Sequence, residues 1–402
     1  MSAILVVNSG SSSFKYQLIE IESERMLASG LVERIGDETG HTRHRTQVGL
    51  WERDVPIPDH AAGFGVMLEA FAEHGPDLAK HPLVAVGHRV VHGGKRFHEA
   101  TIVNELVKIN IEDLSELAPL HNPANLQGID AAEKAFPSVP QVAVFDTAFH
   151  QTLAPSAYTY AIDAALAEKQ RVRRYGFHGT SHKFVAGETA AFLGRPLDSL
   201  KMIVLHLGNG ASACAIDGGR SVETSMGMTP LEGLVMGTRS GDLDPAVLFH
   251  LHRKTGMDFA ELDELLNRRS GLLGLSGHGD MRDLQTAAAA GDASAVLALE
   301  VYLHRLRGYV GSYYAQLGHL DAIVFTAGVG ENNPVVRAGA LAGLEELGIE
   351  IDPALNEASG SAASASGARR ISTASSRVEV LVVPTNEELE IARQSFAAVS
   401  VA

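Results

Sequence analysis

The sequence predicts an α/β protein made of two duplicated lobes, and three observations lead there. Its 402 residues are too many for one ordinary core, since domains run to about 150 residues. Apolar strand-like runs alternate with helix-like segments along the chain, which is the pattern of α/β architecture. Leu5, Gly10 and Ser12 recur as Leu205, Gly210 and Ser212, each displaced by 200 positions.

The elements follow in order. Residues 3–7 (AILVV) and 14–21 read as two strands around a polar turn, Asn8 to Ser13, forming a hairpin with a polar tip. Strands are expected over Val84 to Val91 and Val142 to Phe145, and helices over Asn125 to Phe136 and Ser181 to Leu193. A second hairpin is predicted from Met202 to Leu207, the turn Gly208-Asn209-Gly210-Ala211-Ser212, and the strand Ala213 to Ile216. Helices near 245–255, 296–317 and 334–347 then alternate with strands near 322–326 and 378–383. The last strand runs through Pro384-Thr385-Asn386 into a helix from Glu387 to Ala398, which could cross back to the first lobe. The Ala, Ser and Gly-rich stretch 356–376 reads as a surface excursion with a short strand around Ile371, and no chemistry is assigned to it.

Composition narrows the function classes. Hydrophobic residues at 45% and charged residues at 20% are globular proportions and exclude wholesale disorder or a fibrous chain. With 33 Lys and Arg against 48 Asp and Glu, the net charge of -15 argues against nucleic acid or an anionic membrane as partner. Any anion site must therefore be built locally. Cys214, the single cysteine, cannot form an intramolecular disulfide, suits a reducing compartment, and reads as a small core residue. The opening Met1-Ser2-Ala3 has no basic region, its apolar run stops at Asn8, and no run of about 18 apolar residues occurs, so a soluble, cytoplasmic protein is expected.

Three polar, glycine-rich turns could present backbone N–H groups to a phosphate: Asn8 to Ser13, His206 to Gly210, and Gly328-Val329-Gly330-Glu331-Asn332. For any one of them an ordinary hairpin tip is the competing account. Gly208-x-Gly210-x-x-Ala213 partly matches a dinucleotide fingerprint, but that motif needs a helix after its glycines and a β-rich stretch follows here. Gly328-x-Gly330 does precede a helix, beginning near Pro334, and is the better candidate for nucleotide contact. No Walker-type phosphate loop is present.

Several charged residues stand at strand ends or between glycines. Lys15 leaves the first turn and is either a phosphate contact or a solvated strand lysine. Arg89, within Gly87 to Gly94, could grip a carboxylate or phosphoryl oxygen. His88 and His92, like His178 and His182, have helical zinc spacing but lack the intervening Glu of a zincin motif. Pro123 suits the first turn of a helix that Asn122 could cap, leaving His121 for a ligand. Asp146 follows an apolar strand, where α/β proteins place their sites, and could bind Mg²⁺ or orient a nucleophile. His178 sits between glycines ahead of a helix; Arg239 lies in a glycine-bounded loop and could neutralise charge on a transferring phosphoryl group. Capping alone accounts for Asn386 and Glu387.

Taken together, NSGSSSFKYQL, GHRVVHGG, PLHNP, VFDTAFH, RRYGFHGTSH, HLGNGAS, TSMGMTPLEGLVMGTRSGDLDP, FTAGVGEN and PTNEEL closely resemble the acetate kinase family, in order and along nearly the whole chain. The resemblance implies the acetate and sugar kinase, Hsp70 and actin fold: two duplicated, ribonuclease H-like α/β lobes with the active site in a cleft between them. It implies a carboxylate and metal lobe of residues 1–150 plus 385–402, and a nucleotide and dimerisation lobe of 151–384. The implied reaction is reversible, Mg²⁺-dependent transfer of a phosphoryl group from ATP to acetate in a homodimer, with Mn²⁺ as a possible substitute. By motif position, Asn8 and Glu387 match the metal site, and Lys15 and Ser12 match nucleotide-phosphate contacts. Asp146 matches the catalytic aspartate, Arg89 the carboxylate-binding arginine, and His178 and Arg239 the transition-state stabilisers. His121 matches a further substrate contact. Val91, Leu120, Phe177 and Pro230 match a small apolar pocket for the substrate methyl group. The ATP segments correspond to His206, Leu207, Gly208, Asn209 and Gly210; to Asp280, Met281 and Arg282; and to Ala327, Gly328, Val329, Gly330 and Glu331. Ser276 to Gly279 and the 356–376 stretch depart from the family pattern.

The rival readings differ in what they require. A propionate or butyrate kinase would differ only in the pocket, where one methylene is worth about 1–3 kcal/mol, and a residue smaller than Val91 is not found there. An Hsp70-like binding protein would need a peptide-binding domain after the nucleotide lobes, for which a chain ending at Ala402 leaves no room. A nicotinamide dehydrogenase would need strand, turn and helix at Gly208.

Overall fold

The computed structural model describes residues 2–358 and 367–401, and the chain divides into two compact units. One comprises Met1–Gln151 with Asn386–Ala402, the other Thr152–Thr385.

The first unit holds eight strands: β1 (Ala3–Ser9), β2 (Ser13–Glu20), β3 (Arg25–Glu33), β4 (Gly40–Thr46), β5 (Leu50–Val55), β6 (Leu83–Val90), β7 (Thr101–Ile102) and β8 (Gln141–Phe145). They form one sheet in the order β5-β4-β3-β2-β1-β6-β8-β7. The apolar run of β1 is buried on both faces, as a central strand must be, whereas β2 alternates buried Phe14, Tyr16 and Leu18 with exposed Lys15. Helices cover both faces. Val86 shares a core cluster with Ala131 and Ala132 of the helix Asn122–Ala135, while a Cβ on neighbouring Gly87 would lie 2.4 Å from Ser395 Oγ of the helix Glu387–Val401. Successive strand residues point to opposite faces, so these two helices sandwich the sheet.

The second unit carries β9 (Lys201–Leu207), β10 (Ala211–Asp217), β11 (Arg220–Thr224), β12 (Ala322–Thr326), β13 (Arg369–Arg370) and β14 (Glu379–Val382), ordered β11-β10-β9-β12-β14-β13. The duplication is legible in the pairing. In the first unit β3, β2 and β1 run antiparallel in turn, then β6 and β8 add parallel. In the second unit β11, β10 and β9 repeat the antiparallel set and β12 and β14 the parallel one. Cys214 is fully buried in β10.

Three expectations change. The third glycine-rich turn is not a turn: Ala327–Asn332 is a short helix that starts directly after β12. Its register is set by Glu331, whose Oε1 accepts from Ala327 N at 2.8 Å, and by Arg337, which donates to the carbonyls of Gly330 and Glu331 at 2.9 Å each. The helix expected to reach residue 347 stops at Leu341, because Gly343 takes φ +80° and only a short turn, Glu345–Leu347, follows. The strand expected around Ile371 ends at Arg370, although Ile371 N still donates to Val380 O at 2.8 Å. Residues 359–366 of the predicted excursion lie outside the described residues.

Candidate functional site

In the first unit the candidate residues gather at the ends of β1, β6 and β8. The tip between β1 and β2 is tight: Gly10 N donates to Ser13 O at 2.7 Å, and His60 Nε2 donates to Gly10 O at 2.9 Å. Two asparagines on the helix Asn122–Ala135 tie this tip to the segment after β6. Asn125 donates to Ser9 O at 2.7 Å and accepts from Val91 N at 3.1 Å. Asn122 accepts from His92 N at 3.1 Å and donates to His92 O at 3.0 Å. Asn122 is therefore not a cap; His121 holds the cap position without a side-chain bond, and the Asn122 amide is engaged by both polar groups of the His92 backbone. Spacing of three on one helix face was a readable signal for this pair.

Arg89 projects from β6 beside the end of β8. Its Nη2 donates to Asp146 Oδ2 and its Nε to Asp146 Oδ1 at 3.2 Å, a two-point grip on a carboxylate that is 1% exposed. Glu387 Oε2 lies 3.8 Å from Arg89 Nε. Burial pushes the Glu387 carboxyl up to about 7; Arg89 opposes the shift and Asp146 adds to it. Asn8 and Lys15 are cross-strand partners on β1 and β2. Ser12 is exposed at the tip and His121 is half-buried. Of the pocket residues in this unit, Val91 is buried but Leu120 is 64% exposed.

In the second unit the β9–β10 turn is held by Gly208 N donating to Gly210 O and by Gly237 N donating to Asn209 O, both at 3.0 Å. His178 takes a left-handed backbone, φ +56°, at the start of the helix Gly179–Leu193. Its Nδ1 and His182 Nε2 lie 2.9 and 2.8 Å from Ser212 Oγ, so both histidines of that pair converge on one hydroxyl of β10. His206 stacks on His178 with ring centroids 4.2 Å apart, and its Nδ1 lies 2.8 Å from Ser181 Oγ. In the other histidine pair, His88 Nε2 donates to Gln141 Oε1 at 2.8 Å. A Cβ built on Gly210 would sit 3.6 Å from Arg239 Nη1 and 3.7 Å from His178 Cε1, so both cation candidates flank that glycine. Arg239 Nη1 donates to Pro230 O at 3.1 Å, and burial lowers the Arg239 pKa. Phe177 is buried and Pro230 half-buried.

Beside this turn opens a cavity of about 410 Å³, within the range of small-molecule sites. It brings together Gly208 and Asn209, Asp280, Met281 and Arg282, and Gly328 and Val329. His206, Leu207, Gly210, Ala327, Gly330 and Glu331 do not line it. The Glu331 carboxylate is instead structural: besides Ala327 N it accepts from Thr385 N at 3.2 Å, and burial raises its pKa. Asn332, the end of the third glycine-rich segment, also lines it; sequence reasoning missed Gly237, Leu272, Gly279, Tyr302 and Asn333. Gly237 signals itself, since a Cβ there would lie 2.0 Å from Asn209 Oδ1.

The model of the acetokinase family matches residues 3–393. The chain is 68% identical over 400 residues to the acetate kinase of Leifsonia xyli, covering 100% of both chains. Among solved structures it is similar to Porphyromonas gingivalis acetate kinase, at TM-score 0.93 and 40% identity, covering 99% of this chain and 100% of that one. It is also similar to a propionate kinase from Francisella tularensis, at TM-score 0.91 and 40% identity, with the same coverage. On a whole-length family match and a full-length relative of that identity, the chain belongs to the acetokinase family.

Proposed function

We propose that the protein is an ATP:acetate phosphotransferase, reversibly converting ATP and acetate to ADP and acetyl phosphate. The observation that carries the chemistry is the placing of Arg239 and His178 about Gly210, next to a cavity lined by Gly208 and Asn209. A nucleotide seated there would direct its phosphates along the turn toward the Arg239 guanidinium and the His178 imidazole. Acetate is ionised at neutral pH and is already a nucleophile, so no strong base is needed. The difficulty is bringing two anions together. Arg89 binds the carboxylate through the guanidinium N–H groups that its two-point bond to Asp146 leaves over. Asp146 holds that guanidinium in place and positions acetate or metal, without becoming phosphorylated itself. His178 and Arg239 offset charge on the group in transit, in a direct in-line transfer.

Asn8 and Glu387 offer oxygen donors of the kind Mg²⁺ prefers. Among the described residues no group of three or more His, Cys, Asp or Glu forms a cage, and Mg²⁺ on nucleotides is commonly held by one or two protein oxygens with phosphate and water. Bound there, Mg²⁺ would neutralise phosphate charge. In this reading Met1–Gln151 with Asn386–Ala402 serves the carboxylate and metal, and Thr152–Thr385 the nucleotide. Val91, Leu120, Phe177 and Pro230 set the limit on acyl length, His121 is a further substrate contact, and Lys15 and Ser12 contact phosphate.

A homodimer is part of the proposal. The helix Ala246–Thr255 buries none of its residues, yet carries Val247 and Phe249, 39% and 60% exposed, and Phe259 nearby is 87% exposed. Sedimentation as a monomer at assay concentration would remove it. A cytoplasmic setting is supported by the lone, buried thiol of Cys214. Among the described residues no helix is long and apolar enough to cross a membrane.

The test is a hydroxylamine trap for acyl phosphate with ATP, Mg²⁺ and acetate, propionate or butyrate. Acetohydroxamate in excess supports the proposal. A larger yield from propionate favours the alternative, a short-chain carboxylate kinase, to which the Francisella likeness also points. No product with any acid overturns both.

A further inference from the structure

Resting on that reading of Arg239, we propose that Arg174, Glu232 and Tyr160 are positioning residues that set the Arg239 guanidinium for phosphoryl transfer. Arg239 does not make its contacts alone. Its Nη1 donates to the carbonyl of Pro230, two residues before Glu232. Whatever fixes Glu232 therefore bears on the oxygen acceptor that aims Arg239, whose Nη1 also donates to Met236 Sδ at 3.7 Å.

Glu232 is fixed from two sides. Arg174 Nη2 donates to Glu232 Oε1 at 2.6 Å, and the Tyr160 hydroxyl donates to Glu232 Oε2. The Tyr160 oxygen in turn accepts from Met228 N at 3.1 Å. Arg174 Nη1 reaches the carbonyls of Thr224, Ser225 and Met226 at 2.9, 3.0 and 3.2 Å, gathering the strand end from which the Arg239 loop departs. The packing leaves no slack: a Cβ on Gly227 would lie 1.8 Å from Glu232 Oε2 and 2.2 Å from the Tyr160 hydroxyl.

The same fastener holds His178. Gly227 O accepts from Tyr175 N and Gly176 N at 3.0 and 3.2 Å, and Arg174 is four residues before His178. The two segments that bring Arg239 and His178 to Gly210 thus share one anchorage of ion pair, phenol and backbone. The Arg239 loop has two further supports. Gly237 is tied to Asn209, and Asp242, which accepts from Gly233 N and from the Tyr309 hydroxyl, closes the far end of the loop. Loosening Glu232 should therefore disturb Arg239 more than the nucleotide cavity.

The experiment measures kcat, the KM for acetate and ADP affinity for Glu232→Gln, Tyr160→Phe, Arg239→Ala and the double variant Glu232→Gln/Arg239→Ala. Positioning predicts a fall in kcat of roughly 10- to 100-fold for Glu232→Gln, since misplacement of about 1 Å carries a cost of that size. ADP affinity should be unchanged. The double variant should match Arg239→Ala alone, because Glu232 acts through Arg239. Tyr160→Phe removes one hydroxyl, should fall between wild type and Glu232→Gln in kcat, and carries the test if Glu232→Gln does not fold. Wild-type kcat in both single positioning variants, or losses that multiply in the double variant, overturns the inference while leaving Arg239 in the mechanism. Wild-type kcat in Arg239→Ala overturns the functional reading of Arg239 and this inference with it.

Discussion

Arg89 and Asp146 are joined through two guanidinium nitrogens and both carboxylate oxygens, at the adjoining ends of two parallel strands. The pair keeps a forked cation pre-aimed in a chain whose net charge is -15. Replacing Arg89 with Ala should raise the KM for acetate at least tenfold while leaving ADP affinity alone, and Arg89→Lys should not restore it, because an ammonium cannot match the fork. Initial-rate kinetics with acetate varied would settle the point. An Arg89→Lys variant with wild-type KM would remove the two-point grip from the mechanism.

Arg239→Ala should lower turnover about 100-fold or more, the scale of losing one preorganised group that stabilises developing charge. Single-turnover measurement separates this from slow product release. An unchanged chemical step would take Arg239 out of the reaction.

Asn125 satisfies one buried donor and one buried acceptor on two different strand ends. Asn125→Ala strands both, and should destabilise the protein by about 1–3 kcal/mol for each group left unpaired. Denaturant unfolding reads this directly. Loss of less than half of that range would mean that water replaces the amide.

His88 supplies a pH dependence that owes nothing to catalysis. It is 2% exposed, and burial lowers its pKa from 6.5 to about 4. Between those values the unfolded chain takes up a proton that the folded chain refuses. Stability that is whole above about pH 6.5 should be lost as pH falls toward about 4, by on the order of 3 kcal/mol in all. His88→Asn should start from lower stability but show a flatter profile over that window. Parallel profiles for the two proteins would refute the assignment.

Much of the fold could be read from local pattern, because its central strands are apolar runs flanked by turn residues. Ala3–Ser9, Lys201–Leu207 and Ala322–Thr326 belong to that class. The strands that went unread, β3, β4, β5, β7 and β11, lie toward the flanks of the two sheets. β4 reads GHTRHRT, whose buried positions are Gly40, Thr42 and His44, and β5 reads LWERDV with no buried residue, so neither shows an apolar face in its sequence. The helix Ala327–Asn332 was hidden for another reason: two glycines in six residues argue against a helix, and what overrides them is the Glu331 carboxylate on Ala327 N together with the bonds from Arg337 to the Gly330 and Glu331 carbonyls, contacts that no residue pattern announces. The site divides in the same way. Residues with their own chemistry, such as Arg89, Asp146 and Arg239, announce themselves by charge among glycines and strand ends. Asn122, Asn125 and Arg174 hold them in place through backbone groups far away in sequence, and Glu232 through the side chains of Arg174 and Tyr160; beyond the spacing of the two asparagines, nothing local marks such a role.

The helix Glu387–Val401 lies against β6, with Gly87 bare to admit Ser395. A ribosome makes β6 early and this helix late, so the half of the molecule begun first is the half finished last. Throughout synthesis of the intervening unit, one face of the first sheet stays exposed, and its closure has to wait until Asn386–Ala402 emerges.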